Sequence, residues 1–316
     1  MEKNYDQSTK MKGGFPAIRK LGAVSPNCES SPFTWDFGEG ERLMRLELFD
    51  RSIITDCAEP SYALIRDCES GRVLSTVGKG CYYFSFYKEK GTAYVLGTKS
   101  APGKLPGDEI MLFESRDLLH WNARSLLRRP GWLYFNTSLT KNEEGYVLAL
   151  EAGEPKEAVG NCPFTVFFAT SSDLNDWTFL PDSLGFPKNR YAGGPFLRWS
   201  RGWYYLILVT ELPCLRYTGY IYRTKDFCDW EVGLYNPMMT PDERDREIAP
   251  CAADIDEDKR RAITEGFLSS VSDHDICDFQ GKTIITYNAG NQLGFAYICQ
   301  AEYEGSSDDF LAAWFC

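Results

Sequence analysis

The chain has 316 residues, 43% apolar and 15% aromatic, enough for one large domain or two ordinary ones. Its formal charge of −11 argues against a nucleic-acid partner, because no basic patch is present to neutralise a phosphate backbone. No apolar run approaches the roughly 18–20 residues a membrane helix needs, so no membrane partner is expected either.

The opening stretch, "MEKNYDQSTKMKGGFPAIRK", is polar and lacks the apolar core of a secretory signal. It reads as an N-terminal extension over residues 1–30, in a cytoplasmic protein. The eleven cysteines fit that reading: the count is odd and no CxxC pair occurs, so reduced thiols are expected. From residue 31 onward the sequence turns to strands. "FTWDFGEGERLMRLELFD" and "SYALIRDCESGRVL" form a first group, about 31–77. After Gly80 come "CYYFSFYKEKG", "TAYVLGTKS", "EIMLFESRD" and "WNARSLL", a second group within 78–128. "GWLYFNTSLTKNEEG", "YVLALEAG", "PFTVFFATSSD" and "WTFLP" repeat the scheme over 131–182. "YAGGPFLRWSRG", "WYYLILVTE", "TGYIYRTKD" and "WEVG" do so over 189–236. A charged stretch at 241–265 breaks the spacing and reads as a solvated polar insertion with a short helix. "HDICDFQGKTIITYNAG" and "GFAYICQAEYEG" then give a fifth group, 266–310.

Three of these groups carry one motif in register: "SRDLLHW" from Ser115, "SSDLNDW" from Ser171 and "TKDFCDW" from Thr224. Each reads hydroxyl, any, Asp, apolar, any, any, Trp, and each follows a third strand. Asp117, Asp173 and Asp226 are expected to accept backbone N–H bonds in the turn, with the Trp wedged between neighbouring units. Short strands in fours, repeated at about 50 residues, predict an all-β chain: a five-bladed β-propeller of four-stranded antiparallel blades over 31–316.

With those turns and that blade length, the chain resembles the five-bladed glycoside hydrolases of families 43, 32 and 130. The likeness runs from about Phe33 to Trp314. It implies an acidic triad around a central funnel: a base or nucleophile, a general acid, and a third carboxylate. It is a likeness of architecture. The Asn-Asp-Pro-Asn-Gly entrance of family 32 is absent, and so is a clear Asp-Pro at the first inner strand.

Blade geometry selects candidates independently. Inner-strand starts and second-strand ends share a face, because neighbouring strands run antiparallel. The starts supply Asp36 beside Trp35, Tyr82, Asn136 with Thr137, Tyr191 with Gly193, and the Asp273-His274-Asp275 cluster. The ends supply Asp50, Lys99, Glu151, Glu211, Asn288, Asn291 and Gln292. Strand alternation would set Asp273 and Asp275 on one side, about 6.6 Å apart, with His274 on the other. Those two acids are expected to face Arg190 or Arg198, a Ca²⁺ ion, or a substrate. Glu151 and Glu211 each close an apolar strand, where burial raises a carboxyl toward the range of a general acid.

Glycoside cleavage needs one carboxyl that holds a proton and one that does not. The expected catalytic residues are therefore Glu151 or Glu211 as acid, and Asp273 or Asp275 as base or nucleophile. Substrate contacts are expected from Trp35, Asp36, Tyr82, Asn136, Arg190, Tyr191, His274, Asn288 and Gln292. No cofactor is required, although a structural Ca²⁺ would suit the aspartates. The expected partner is a small oligosaccharide. A phosphorylase, with Arg190, Lys99 and Lys141 as its cations, and a non-catalytic carbohydrate-binding propeller are the alternatives.

Overall fold

The computed structural model describes residues 16–49, 61–101, 104–214 and 216–315; Asp50 lies outside them. Its strands, in chain order, begin with β1 (Arg19–Ser25). Blade 1 follows as β2 (Cys28–Asp36), β3 (Glu41–Phe49), β4 (Tyr62–Asp67) and β5 (Val73–Val77). Blade 2 is β6 (Cys81–Glu89), β7 (Thr92–Ala101), β8 (Lys104–Ser115) and β9 (Asn122–Arg128). Blade 3 is β10 (Leu133–Lys141), β11 (Tyr146–Glu154), β12 (Thr165–Ser171) and β13 (Thr178–Phe179), with helix α1 (Lys156–Val159) after β11. Blade 4 is β14 (Gly193–Ser200), β15 (Trp203–Leu212), β16 (Arg216–Thr224) and β17 (Trp230–Val232). After helix α2 (Glu257–Glu265), blade 5 is β18 (Ser270–Phe279), β19 (Lys282–Gly290) and β20 (Ala296–Glu304), and α3 (Ser307–Ala313) closes the chain.

The fourth strand of blade 5 is β1, which pairs antiparallel with β20 from Arg19↔Glu302 to Ser25↔Ile298. Residues expected as part of an N-terminal extension thus fill the last blade and lock the ring. The innermost strands meet in the order β2, β6, β10, β14, β18 and back to β2, a five-bladed propeller. The second strands β11, β15 and β19 are apolar and buried nearly throughout, since each is covered by a blade on both faces.

Four of the five blade interfaces are apolar. Phe33, Met44 and Ile65 meet Phe84 and Val95 between blades 1 and 2. Leu112 and Leu127 meet Trp132 and Leu148 between blades 2 and 3. Phe168 meets Leu206 and Tyr222 between blades 3 and 4. Ile207 and Ile221 meet Ile276 and Tyr287 between blades 4 and 5.

The seam between blades 5 and 1 is polar instead. Buried Glu47 accepts from Arg45 Nε at 2.8 Å and Arg66 Nε at 2.9 Å on one oxygen. Its other oxygen accepts from Ser25 at 2.8 Å and Asn27 at 2.6 Å. Arg66 also pairs with Asp254 at 2.7 Å, which ties the 241–265 stretch to blade 1. That stretch is docked, not solvated along its length. Its Asp245 is buried and bound by Lys20 and the Tyr287 hydroxyl, each at 2.7 Å. Ala23 hydrogen-bonds in both directions with its backbone, to Glu247 and from Ala249. Gly22 permits the approach: a Cβ there would lie 2.4 Å from the Glu247 carbonyl oxygen.

The three Asp turns have the expected form. Asp117 accepts the Leu119 and His120 amides at 2.8 Å, and Asp173 and Asp226 repeat the pattern. Trp230 stacks on Phe186 of the blade 3 connection at 4.3 Å. These turns join third to fourth strands, at the rim. Asp173→Ala is accordingly expected to lower Tm by a few degrees and leave activity unchanged, read by thermal unfolding beside a rate assay.

Candidate active site

Five backbone irregularities build the site. In every innermost strand the ladder slips near its start: at Cys28/Ser30, Tyr82/Ser85, Tyr134/Thr137, Gly193/Phe196 and Ser272/Asp275. Such bulges twist a strand and re-aim its side chains. Four of the bulged residues hold left-handed backbone: Glu29 (φ 48), Tyr83 (φ 57), Gly194 (φ 56) and Asp273 (φ 50). Backbone strain of this kind in a glutamate and a tyrosine persists where surrounding structure enforces it, and it clusters at functional sites. The bulges bring Glu29, Tyr83, Phe135, Gly194 and Asp273 to equivalent positions around the axis.

Asp273 is held by three donors. Ser272 Oγ and Asn288 Nδ2 reach its Oδ2 at 2.6 and 3.0 Å, and Asn136 Nδ2 reaches its Oδ1 at 3.4 Å. The same Asn136 nitrogen donates to Glu151 Oε2 at 3.2 Å. One amide therefore bridges two carboxyl groups. Their oxygens can be no farther apart than the sum of those two contacts. Glu151 Oε2 also accepts the Gly194 amide at 2.8 Å. Glycine is required there twice over: φ is positive, and a Cβ would come within 2.5 Å of Asp273 Oδ1.

Burial pushes Glu151 up to about 8, and the neighbouring Asp273 charge adds to the shift against the Gly194 and Asn136 hydrogen bonds. Asp273 is raised too, by burial, and held back by Ser272 and Asn288. Near neutral pH a folded value of about 8 keeps a proton on Glu151. A carboxyl whose folded value is raised stabilises the fold fully below its ordinary range and loses that contribution as pH rises toward the folded value. Asp275, pushed up to about 7 mainly by burial, acts in the same direction. Tm is expected to fall between pH 5 and 8, and Glu151→Gln, which cannot ionise, is expected to make the fall shallower. Equal slopes in thermal scans across that range would contradict the assignment.

Two cavities meet at Asp273. A narrow axial channel of about 30 Å³ is lined from all five inner strands, among them by Ser31, Ser85, Thr137, Gly194 and Asp275. A cleft of about 500 Å³ opens along the polar seam, walled by Asn27, Glu29, Leu48, Ser272, Asp273, Asn288 and Gln292, and by Asp254, Asp256 and Lys259 of the 241–265 stretch. Glu29 and Asp273 line both cavities. Asn288 links them, accepting the Glu29 amide on Oδ1 at 2.8 Å while donating to Asp273. On the opposite side six aromatic rings run in sequence, Tyr82, Tyr83, Phe135, Phe164, Tyr191 and Tyr217, with centroid steps from 4.6 to 6.2 Å. Glu151 lies enclosed on that side, 3% exposed.

The expected site residues divide accordingly. Asp273, Glu151, Asn136 and Asn288 form the cluster, and Gln292 lines the cleft, bonded to Ser270 at 3.0 Å. Tyr82 and Tyr191 stand in the aromatic arc. Asp275 sits in the channel, its carboxylate accepting from its own neighbour's amide, Ile276, at 2.7 Å, with Arg198 as the nearby charge. Asp273 and Asp275 share the channel, and the His274 side chain turns to the other side, as strand alternation predicts.

His274 packs between Gly219 and the Tyr287 ring in the blade 4–5 interface, 2% exposed, and burial lowers it to about 3. It stays neutral near physiological pH. Glu211 is exposed beside Tyr217 at the rim. The ladder equates Glu151 with Leu208 rather than Glu211, because Thr137↔Leu150 matches Phe196↔Ile207. Arg190 is exposed, bonded to Asn189 and next to Tyr222, away from the cluster. Trp35 is buried between blades 1 and 2, and Asp36 accepts the Gly38 and Gly40 amides at the far end of β2. The blade 1 strand starts earlier than its apolar run, at Cys28, so Glu29 occupies the place expected for Asp36. Its signal was weak: a lone acid in "NCESSP". Among the described residues no group of three His, Cys, Asp or Glu side chains is arranged to hold a metal ion.

No protein-family model matches the chain, and no curated protein matches it. Solved structures match it in fold. A thermostable family-43 glycoside hydrolase superposes with TM-score 0.59 at 9% identity, over 94% of this chain and 93% of that one. Native Bacillus subtilis arabinanase gives 0.54 at 12%, over 90% and 96%. Bombyx mori family-32 β-fructofuranosidase gives 0.52 at 11%, over 90% of this chain and 61% of that one. The chain shares the propeller of these glycoside hydrolases.

Proposed function

We propose that this propeller is a glycoside hydrolase that removes a terminal sugar from a small glycan bound in the seam cleft. The observation that carries the reading is the Asn136 bridge, which joins a protonated Glu151 to an Asp273 facing the cleft. Asp273 is the ionised group that activates water or attacks the anomeric carbon, and Glu29, the second carboxyl facing the substrate, is the acid that gives its proton to the leaving glycosidic oxygen. Glu151 acts through Asn136 as a positioning residue: by holding its proton it leaves Asp273 the charge of the pair. Asn288 and Gln292 are placed to bind sugar hydroxyls.

The enclosure of Glu151 favours one second reading, a binding propeller in which the bridged acids only shape the pocket. Phosphorolysis is less favoured, since Arg190 lies off the site. A panel of aryl glycosides and oligosaccharides, run with and without phosphate, separates the three. Phosphate-independent turnover supports hydrolysis, turnover that requires phosphate replaces it with phosphorolysis, and glycan binding without turnover leaves the binding module.

A further inference from the structure

We propose that Lys259 recognises the carboxylate of an acidic sugar, a uronate, at the outer end of the cleft, an inference that rests on the carbohydrate reading. Among the described residues lining the cleft, Lys259 is the one cation. It projects from the first turn of α2, half-buried. Its ammonium donates to the Ala296 carbonyl at 3.2 Å and stands 5.0 Å from the centre of the Phe295 ring. Among the described residues no carboxylate forms an ion pair with it. A half-buried ammonium with a carbonyl and a ring for company retains donors for a ligand anion.

The acids of the same cleft do not cancel this. Asp254 is committed to Arg66 at 2.7 Å, and Asp256 caps α2 by accepting the Lys259 backbone amide at 2.7 Å. Glu29 and Asp273 stand at the axial end, where the cleft joins the channel, whereas Lys259, Phe295 and Gly294 do not reach the channel. Glu29 and Asp273 thus mark the reacting end, and Lys259, beside the committed Asp254 and Asp256, is the cation of the other. A single ammonium matches a carboxylate monoanion better than a phosphate dianion, which is commonly met by several donors and cations.

The test is calorimetric titration of the full chain with glucuronate, galacturonate, glucose, galactose and inorganic phosphate, for wild type, Lys259→Gln and Lys259→Arg. At least one uronate is expected to bind wild type ~10-fold or more tighter than its neutral counterpart, the scale of one hydrogen bond to a charged group. Lys259→Gln is expected to erase that preference while neutral-sugar affinity stays within about 2-fold, and Lys259→Arg to keep it. Equal binding of acidic and neutral sugars overturns the inference and leaves the glycosidase reading standing. Persistence of the preference in a folded Lys259→Gln also overturns it, as does tighter binding of phosphate than of either uronate. Failure of every sugar to bind, with no glycoside turned over, removes both readings together.

Discussion

Asp273→Asn is expected to lower kcat/KM on any accepted glycoside by about 10³-fold while the protein remains folded. The substitution deletes one charge and almost no volume. Asparagine also tolerates the left-handed backbone that position 273 requires at φ 50, so strain is not added. Its amide meets three donors, from Ser272, Asn136 and Asn288, which once served a carboxylate, so some loss of local order is expected. Asp275→Asn is the control. That carboxyl lies in the axial channel against Ile276 and Arg198, and its loss is expected to cost activity much less. Equal losses in the two variants would move the reacting carboxylate into the channel.

Glu47→Ala is expected to destabilise the fold by about 3–5 kcal/mol, measured by denaturant unfolding. Glu47 is fully enclosed, and its removal leaves Arg45 buried without its counter-charge and Arg66 with Asp254 alone. Four blade interfaces would keep their apolar cores, so the loss falls on the seam where β1 closes the ring. Its pH behaviour opposes that of Glu151. The arginines hold the Glu47 carboxyl below its usual range, against the effect of burial. Its contribution is therefore present above the ordinary carboxylate range and is lost as pH falls through the lowered value. Wild-type stability should decline on the acid side through Glu47 and on the alkaline side through Glu151 and Asp275. Because Asn27 and Leu48 border both the network and the cleft, Glu47→Ala should also weaken sugar binding.

The propeller was readable because it repeats. Three Asp turns in register and strand groups of four define blades even where single strands are ambiguous. Asp273, Glu151 and Asn136 were readable because strand ends on one face converge in any propeller. What escaped depends on register. Period-two alternation cannot foresee a bulge, and the five bulges decide which side chains reach the axis. One residue of slip brought Glu29 to the axis, and unequal strand ends made Glu211 look like a partner of Glu151 when Leu208 holds that place. His274 drew attention as a rare histidine between acids, yet the fold spends it as packing against Tyr287. The closing strand β1 carries too little apolar pattern to stand out, since it leans on the equally polar 241–265 stretch. Charge in that stretch marked it as solvated, but Asp245 and Asp254 are bound partners that dock it.

The most direct test of glycosidic cleavage at this junction is a crystal structure of Asp273→Asn soaked with an oligosaccharide that the wild type turns over or binds. The predicted result is a sugar ring in the seam cleft, its glycosidic oxygen within about 3 Å of the Glu29 carboxyl or of the amide at position 273. A glycan seated in the cleft with its linkage far from both groups, or bound on another face of the propeller, would contradict the account.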